Sequence, residues 1–146
     1  MMRGEVDEFV AGFFRRLPEL ERLAPAKISS SSATRYGSHP AGFDELRGEI
    51  QFFPAFWRLD EATRDFVFAH EIGHYISEKL GRAWLRKKLR DHGVRLEEMR
   101  VFPFEQPNAT EAFADCFATY FLFRRELHGR YPAWEAVIDE AVARAP

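Results

Sequence analysis

The sequence predicts an α+β fold that is mostly helical, with its helices around a small sheet. Apolar residues recur at helical spacing in several segments, whereas only two short segments combine β-branched and aromatic residues in a strand pattern. The chain has 146 residues, 46% of them apolar, which is in the size range of one domain. We therefore expect residues 1–146 to form a single domain.

The N-terminal part is predicted to contain one helix and two strands. The helix ends at Pro18, and its apolar face consists of Val6, Phe9, Val10, Phe13, Phe14 and Leu17. Residues 26–36 and 48–53 have strand composition, Pro54 stops the second strand, and residues 37–42 are predicted to be a loop. We expect the two strands to form a hairpin. Its second strand is then either an edge that pairs with an extended peptide or an ordinary edge strand.

The longest helix is predicted over residues 60–80, because Asp60 suits an N-cap and Gly81 suits a C-terminal stop. Residues 82–100 hold seven arginines and lysines and are predicted to form another helix and a connector. A solvated face is the simplest interpretation of these charges. A patch for nucleic acid or for an acidic substrate is the alternative.

The C-terminal part is predicted to begin with an irregular segment, residues 102–107, because two prolines interrupt it. Asn108 is predicted to cap a helix that runs to about Leu127, before Gly129. A last helix opens at Tyr131-Pro132. Its apolar face consists of Trp134, Val137, Ile138, Ala141 and Val142.

The longest helix carries the motif His70-Glu71-Ile72-Gly73-His74. Residues four apart share one helix face, so His70 and His74 can direct imidazole nitrogens to one metal ion. Glu71 is rotated by one residue, which makes it the predicted general base for an attacking water. The pattern H-E-x-x-H is a known signature of zinc metalloproteases. Gly73 costs about 1 kcal/mol in a helix interior, which indicates that another element approaches closely there.

A third zinc ligand is expected from the helix that follows Asn108. A hydrolytic zinc ion needs three protein ligands and one open position, and Glu111 is the leading candidate. Asp115 lies one turn later on the same face and is predicted to accept the far N–H of a ligand histidine. The alternative for Glu111 is a capping box with Asn108, three residues earlier.

Residues 48–127 resemble the gluzincin clan of zinc peptidases, in which H-E-x-x-H is followed on a later helix by a glutamate ligand and an acidic residue one turn on. The H-E-I-G-H wording and the segment Glu111-Ala112-Phe113-Ala114-Asp115 look most like minimal gluzincins and the catalytic domain of lethal-factor-type toxins. The resemblance implies a zincin-like fold with a small mixed sheet beside the active-site helix, and one Zn²⁺ per chain at the floor of a cleft. The metzincin pattern fails, because it requires Gly at the position of Ser77 and His at that of Leu80.

One departure concerns the group that stabilises the oxyanion. Lethal-factor-type enzymes place a tyrosine shortly before the third ligand, whereas this chain has Phe102 and Phe104 there. The side chains that could donate to the oxyanion instead are Tyr75, Tyr120, Tyr131, His92 and His128.

Two further residues could lie near the metal. His39 could cover the zinc or be a plain loop residue. Cys116 is expected to be buried rather than a ligand.

Overall composition constrains the partners. A net charge of −2 and a pI near 6.2 give no reason to expect nucleic acid. No apolar run is long enough for a membrane span, and the N-terminus shows no signal-peptide pattern. With one cysteine and hence no internal disulfide, we expect a cytoplasmic protein that acts on a peptide or protein substrate.

The sequence thus predicts a zinc-dependent metallopeptidase in which Glu71 takes a proton from water and later protonates the leaving amine. One alternative is an intracellular regulatory peptidase that cleaves repressors, since such enzymes combine the same two helices, although we identify no DNA-binding segment in residues 1–146. Another is a zincin-fold zinc-binding module with weak or no catalysis.

Overall fold

The structure is a computed structural model that describes residues 3–33, 38–96 and 108–145. It confirms a mostly helical α+β architecture with a small mixed sheet. The sheet strands are β1 (Lys27–Ser30), β2 (Ala41–Asp44) and β3 (Glu49–Phe52), and a 3₁₀ turn follows at Pro54–Arg58. The helices are α1 (Arg3–Arg16), α2 (Pro18–Leu23), α3 (Glu61–Leu80), α4 (Arg82–Asp91), α5 (Ala109–Leu122), α6 (Arg124–Arg130) and α7 (Pro132–Arg144).

The three strands are arranged in the order β1-β3-β2, with β1 parallel and β2 antiparallel to β3. The expected hairpin between residues 26–36 and 48–53 is therefore wrong, since those strands run parallel. The hairpin is formed instead by β2 and β3, whose short connection places Gly48 at φ +63°. Because β3 is central, it is not the edge that we expected, and β2 borders α3 instead.

The longest helix has the predicted bounds. The Asp60 side chain accepts a hydrogen bond from the Thr63 amide at 2.8 Å, which caps the N-terminus of α3. At the other end Gly81 adopts φ +92° and donates its amide to the Ser77 carbonyl at 2.9 Å. The helix therefore begins and ends where its cap residues direct it, with the histidine motif in its middle.

Two helices differ from the sequence prediction. The helix predicted from Asn108 to about Leu127 is divided into α5 and α6, because Phe123 leaves the helical conformation at φ −140°. Beyond this break Arg124 stacks on Tyr120 and pairs with Glu135 of α7 at 2.5 Å. The short helix α2 differs from the prediction as well. Pro18 is predicted only to end the first helix, whereas in the structure it is also the first residue of α2. The predicted irregular segment 102–107 lies outside the described residues.

One hydrophobic core joins α1, β3, α3, α5 and α7. Phenylalanine rings dominate its centre, where Phe13, Phe52 and Phe68 are fully buried and Phe68 makes edge contacts with both of the other rings. At the margin of this core the Arg16 guanidinium donates two hydrogen bonds, of 2.6 and 3.0 Å, to the buried Asp65 of α3. None of the helices in the described ranges has the length and apolar content needed to cross a membrane.

Candidate metal centre

The candidate site depends on the close packing of α3 against α5. A Cβ atom added at Gly73 would lie 2.9 Å from the Cα and 3.2 Å from the carbonyl oxygen of Ala114. Real side chains do not approach backbone so closely, so only glycine permits this contact. The approach predicted from Gly73 is thus present, and it places Glu111 and Asp115 of α5 beside the histidines of α3.

Three side chains converge on one point. The Nε2 atoms of His70 and His74 lie 3.1 Å apart, and the two Glu111 carboxylate oxygens lie 3.2 Å from the first and 3.0 Å from the second. Ligands 2.0–2.1 Å from a tetrahedral zinc ion are about 3.3 Å from each other. These two imidazoles and one carboxylate therefore have the donor types and nearly the spacing of a three-ligand zinc site.

Asp115 holds His70 from behind. The carboxylate is almost fully buried, and its Oδ1 lies 2.6 Å from His70 Nδ1. This contact favours the proton on Nδ1, so that Nε2 faces Glu111 and His74. Burial would lower the pKa of His70, but the hydrogen bonds to Asp115 and Glu111 outweigh it and raise this pKa to about 10. A proton and a metal ion thus compete for the same imidazole.

Glu111 is the carboxylate that both histidines contact. Hydrogen bonds to the two imidazoles hold the pKa of Glu111 below its ordinary value, so the group is an anion ready to accept a cation. Only the Asn108 half of the alternative capping box is observed. The Asn108 side chain accepts hydrogen bonds from the amides of Thr110 and Glu111, at 2.9 and 3.3 Å. The Glu111 side chain itself turns to the histidines.

Glu71 lies beside this cluster rather than at its centre. Its ligand atom and those of His70 and His74 are within 4.8 Å of one another, but Glu111 makes the closer contacts to both imidazoles. Glu71 is 6% exposed, and its Oε2 has no hydrogen-bond partner among the described residues. Burial raises the pKa of Glu71, which suits a carboxylate that exchanges protons.

A cleft of about 550 Å³ opens over these side chains. Two walls flank this cleft, α5 on one side and β2 on the other. Gly73 faces α5, and Tyr75 packs on Phe43 of β2. Because successive helix residues are about 100° apart, His74 lies between these two directions. The same angular spacing places Glu71 on the β2 side of the two histidines.

The residues that line the cleft come from three parts of the fold. Residues of β2 and its flanking segments are His39, Pro40, Ala41, Gly42, Phe43 and Glu45. Residues of α3 are Phe66, Val67, His70, Glu71, His74, Ser77 and Glu78. Residues of α4 and α5 are Arg82, Leu85, Thr110, Glu111 and Asp115.

None of the five donor candidates chosen from the sequence lines this cleft. Tyr120 donates to Asp139, while His92 and His128 pair with Glu140 at 2.5 Å and Glu135 at 2.7 Å. Tyr75 packs against Phe43, and Tyr131 borders a separate pocket next to Cys116. Phe102 and Phe104 lie outside the described residues.

Two other residues named from the sequence have clear positions. His39 lines the cleft, on the approach to β2. Cys116 is buried, as expected, and does not line the cleft, and burial raises the pKa of its thiol. The sequence predicts a loop for residues 37–42, whereas Ala41 and Gly42 belong to β2 in the structure. The strand was missed because alanine and glycine are weak strand formers.

A comparison with protein-family models and with curated proteins finds no match to this chain.

Proposed function

We propose that this protein is a zinc-dependent peptidase of zincin-like fold. The observation that carries the proposal is the convergence of His70 Nε2, His74 Nε2 and the Glu111 carboxylate within 3.0–3.2 Å, with the buried Glu71 beside them. The donor set is the one that catalytic zinc uses, with three protein ligands and room for one more.

His70, His74 and Glu111 would hold the ion, and Asp115 would keep His70 in the required tautomer. When bound, zinc supplies Lewis-acid chemistry that polarises a carbonyl and makes water more acidic. Glu71 takes one proton from the attacking water as the oxygen bonds to the carbonyl carbon. Glu71 then returns that proton to the leaving nitrogen as the C–N bond breaks.

The β2 edge supports a peptide as substrate. β2 has one partner, β3, on one side, and Ala41, Gly42 and Phe43 of β2 line the cleft. An extended peptide could add to the free side of this strand through main-chain hydrogen bonds. The role that the sequence suggested for β3 thus passes to β2, and the apolar Phe43 and Phe66 offer a contact for a substrate side chain.

Metal analysis combined with cleavage of a peptide library tests the proposal. We expect about one zinc per chain in the wild type, cleavage of some peptides, and no cleavage by the Glu71→Gln variant that still binds zinc. A wild type that binds no zinc would contradict the metal site.

A second candidate is a zinc-binding module of the same fold that does not catalyse hydrolysis. The observation in its favour is that no tyrosine lines the cleft among the described residues. Zinc at one per chain without cleavage across the library would support this module over the peptidase.

A further inference from the structure

A peptidase needs a hydrogen-bond donor that faces the oxyanion, and among the described residues few polar side chains line the cleft. Apart from the candidate ligands and the carboxyl groups, the side-chain hydrogen-bond donors that line the cleft in the described part of the chain are His39, Ser77, Arg82 and Thr110. The choice among these four depends on what each side chain already contacts.

Two of these four donors, the hydroxyls, already donate a hydrogen bond within their own helix or its cap. The Ser77 hydroxyl donates to the His74 carbonyl of the preceding turn of α3 at 3.1 Å. The Thr110 hydroxyl donates to Asn108 Oδ1 at 2.7 Å as part of the α5 cap. Neither hydroxyl has a second proton to give.

Arg82 is far along the cleft from the ligands. It begins α4, beyond the end of α3, and the six residues from His74 to Leu80 alone span about 9 Å of helix at about 1.5 Å per residue. Its side chain is exposed at that end of the cleft. Arg82 is therefore better placed to contact a remote part of a substrate than its reacting carbonyl.

His39 is neither bonded within a helix nor placed beyond the end of α3, and its side chain is exposed in the cleft. It stands on the β2 side of the cleft, the same side to which Glu71 points, and it makes no hydrogen bond with another described residue. Pro40, the next residue, is tied to the sheet because its carbonyl accepts the Phe53 amide at 2.9 Å. His39 is thus an available donor attached to a fixed point of the wall.

We propose that His39 is a further catalytic residue, whose imidazole N–H donates a hydrogen bond to the carbonyl oxygen of the substrate as that oxygen becomes an anion. This inference rests on the proposed peptidase function. When water attacks, a C–O bond forms and the carbonyl π electrons move to the oxygen. His39 stabilises that charge without giving up its proton, which leaves proton transfer to Glu71.

The test compares His39→Ala and His39→Gln with the wild type in the zinc-loaded protein. Loss of one oxyanion donor typically costs ~10²–10³ in kcat, so we expect a loss of that order for alanine and a smaller one for glutamine, which keeps an N–H. Ser38→Ala is the matched control, because Ser38 is exposed on the same loop and does not line the cleft. Zinc content should be the same in all four proteins.

A binding measurement makes the test independent of turnover. Phosphinic peptides imitate the tetrahedral transition state, so the tightest-binding member of a small phosphinic series should bind His39→Ala more weakly than the wild type, by a factor of the same order as the loss in kcat. The cobalt(II)-substituted proteins should have identical visible absorption spectra, because His39 is not expected to be a metal ligand.

Each contrary outcome has a distinct meaning. Equal phosphinic peptide affinity in wild type and His39→Ala would overturn the inference, as would a wild type that binds no member of the series. Higher activity of His39→Ala with a changed cobalt spectrum would show that His39 covers the metal instead. A wild type that cleaves no peptide would count against the proposed function, while the phosphinic affinities would still decide the role of His39.

Discussion

The Cα of Ala114 lies 2.9 Å from the position that a Cβ of Gly73 would take, so α3 and α5 meet backbone to backbone at this point. We predict that Gly73→Ala destabilises the fold and weakens metal binding, because α5 must move and take Glu111 with it. The cost should exceed the roughly 1 kcal/mol that alanine gains over glycine in a helix, giving a net loss of about 1–3 kcal/mol.

Gly12→Ala in α1 is the matched control for this substitution. A Cβ at Gly12 would meet only the end of the flexible Arg15 side chain, at 3.6 Å. Chemical denaturation should therefore show Gly12→Ala to be neutral or stabilising. A Gly73→Ala protein as stable as the wild type would contradict the described helix contact.

Removing a candidate ligand should separate metal binding from turnover. We predict that His74→Ala and Glu111→Ala each lose zinc, whereas Glu71→Gln keeps zinc and loses turnover, because of these three side chains only the first two would hold the ion. Inductively coupled plasma mass spectrometry after dialysis measures the metal. Glu78→Gln is a suitable control, since Glu78 is exposed in the same cleft and one turn past His74. Full zinc retention by Glu111→Ala would mean that the third ligand is another residue.

Asp115→Asn should weaken zinc binding without abolishing it. Outer partners of metal-bound histidines typically contribute 10–100-fold in affinity, and Asp115 contacts His70 Nδ1 at 2.6 Å. Competition with a chromophoric chelator would give the affinity. Asp139→Asn removes a carboxylate of α7 that contacts Tyr120 instead, and its zinc affinity should equal that of the wild type.

The contact between Arg16 and Asp65 should matter for stability but not for the metal. We predict that Arg16→Ala lowers the free energy of unfolding by about 1–3 kcal/mol, because it leaves the buried Asp65 carboxylate without its partner. The neighbouring Arg15 is exposed, so Arg15→Ala should change the free energy of unfolding by no more than about 0.5 kcal/mol. Urea denaturation of the two variants tests this difference, and equal midpoints would refute it.

The helices that frame the site could be predicted because their signals are local. Asp60 and Gly81 mark the ends of α3, and Asn108 marks the start of α5, through contacts within a few residues of each. The spacing of His70 and His74 likewise fixes their shared face before any tertiary contact forms. Glycine at position 73 indicates that another element approaches closely, and in the structure that element is α5.

Features set by distant contacts could not be predicted in the same way. The parallel pairing of β1 with β3 depends on residues about twenty positions apart, and nothing in either strand encodes its direction. The break at Phe123 accompanies the pairing of Arg124 with α7, which the periodicity of α5 does not reveal. The sequence did not distinguish His39 from the other histidines and tyrosines as an oxyanion donor. Its place in the cleft depends on how the segment before β2 packs against α3.

The meeting of α3 and α5 also makes the candidate site a reporter of the native state. His70 and Glu111 are 41 positions apart in sequence, so an unfolded chain offers zinc at most the local pair His70 and His74. Zinc should then bind the folded protein preferentially and raise its melting temperature, by an amount equivalent to about 2.7 kcal/mol at a concentration 100 times the Kd. The size of that thermal shift would measure how completely the two helices are docked in any variant, whether or not a substrate is ever found.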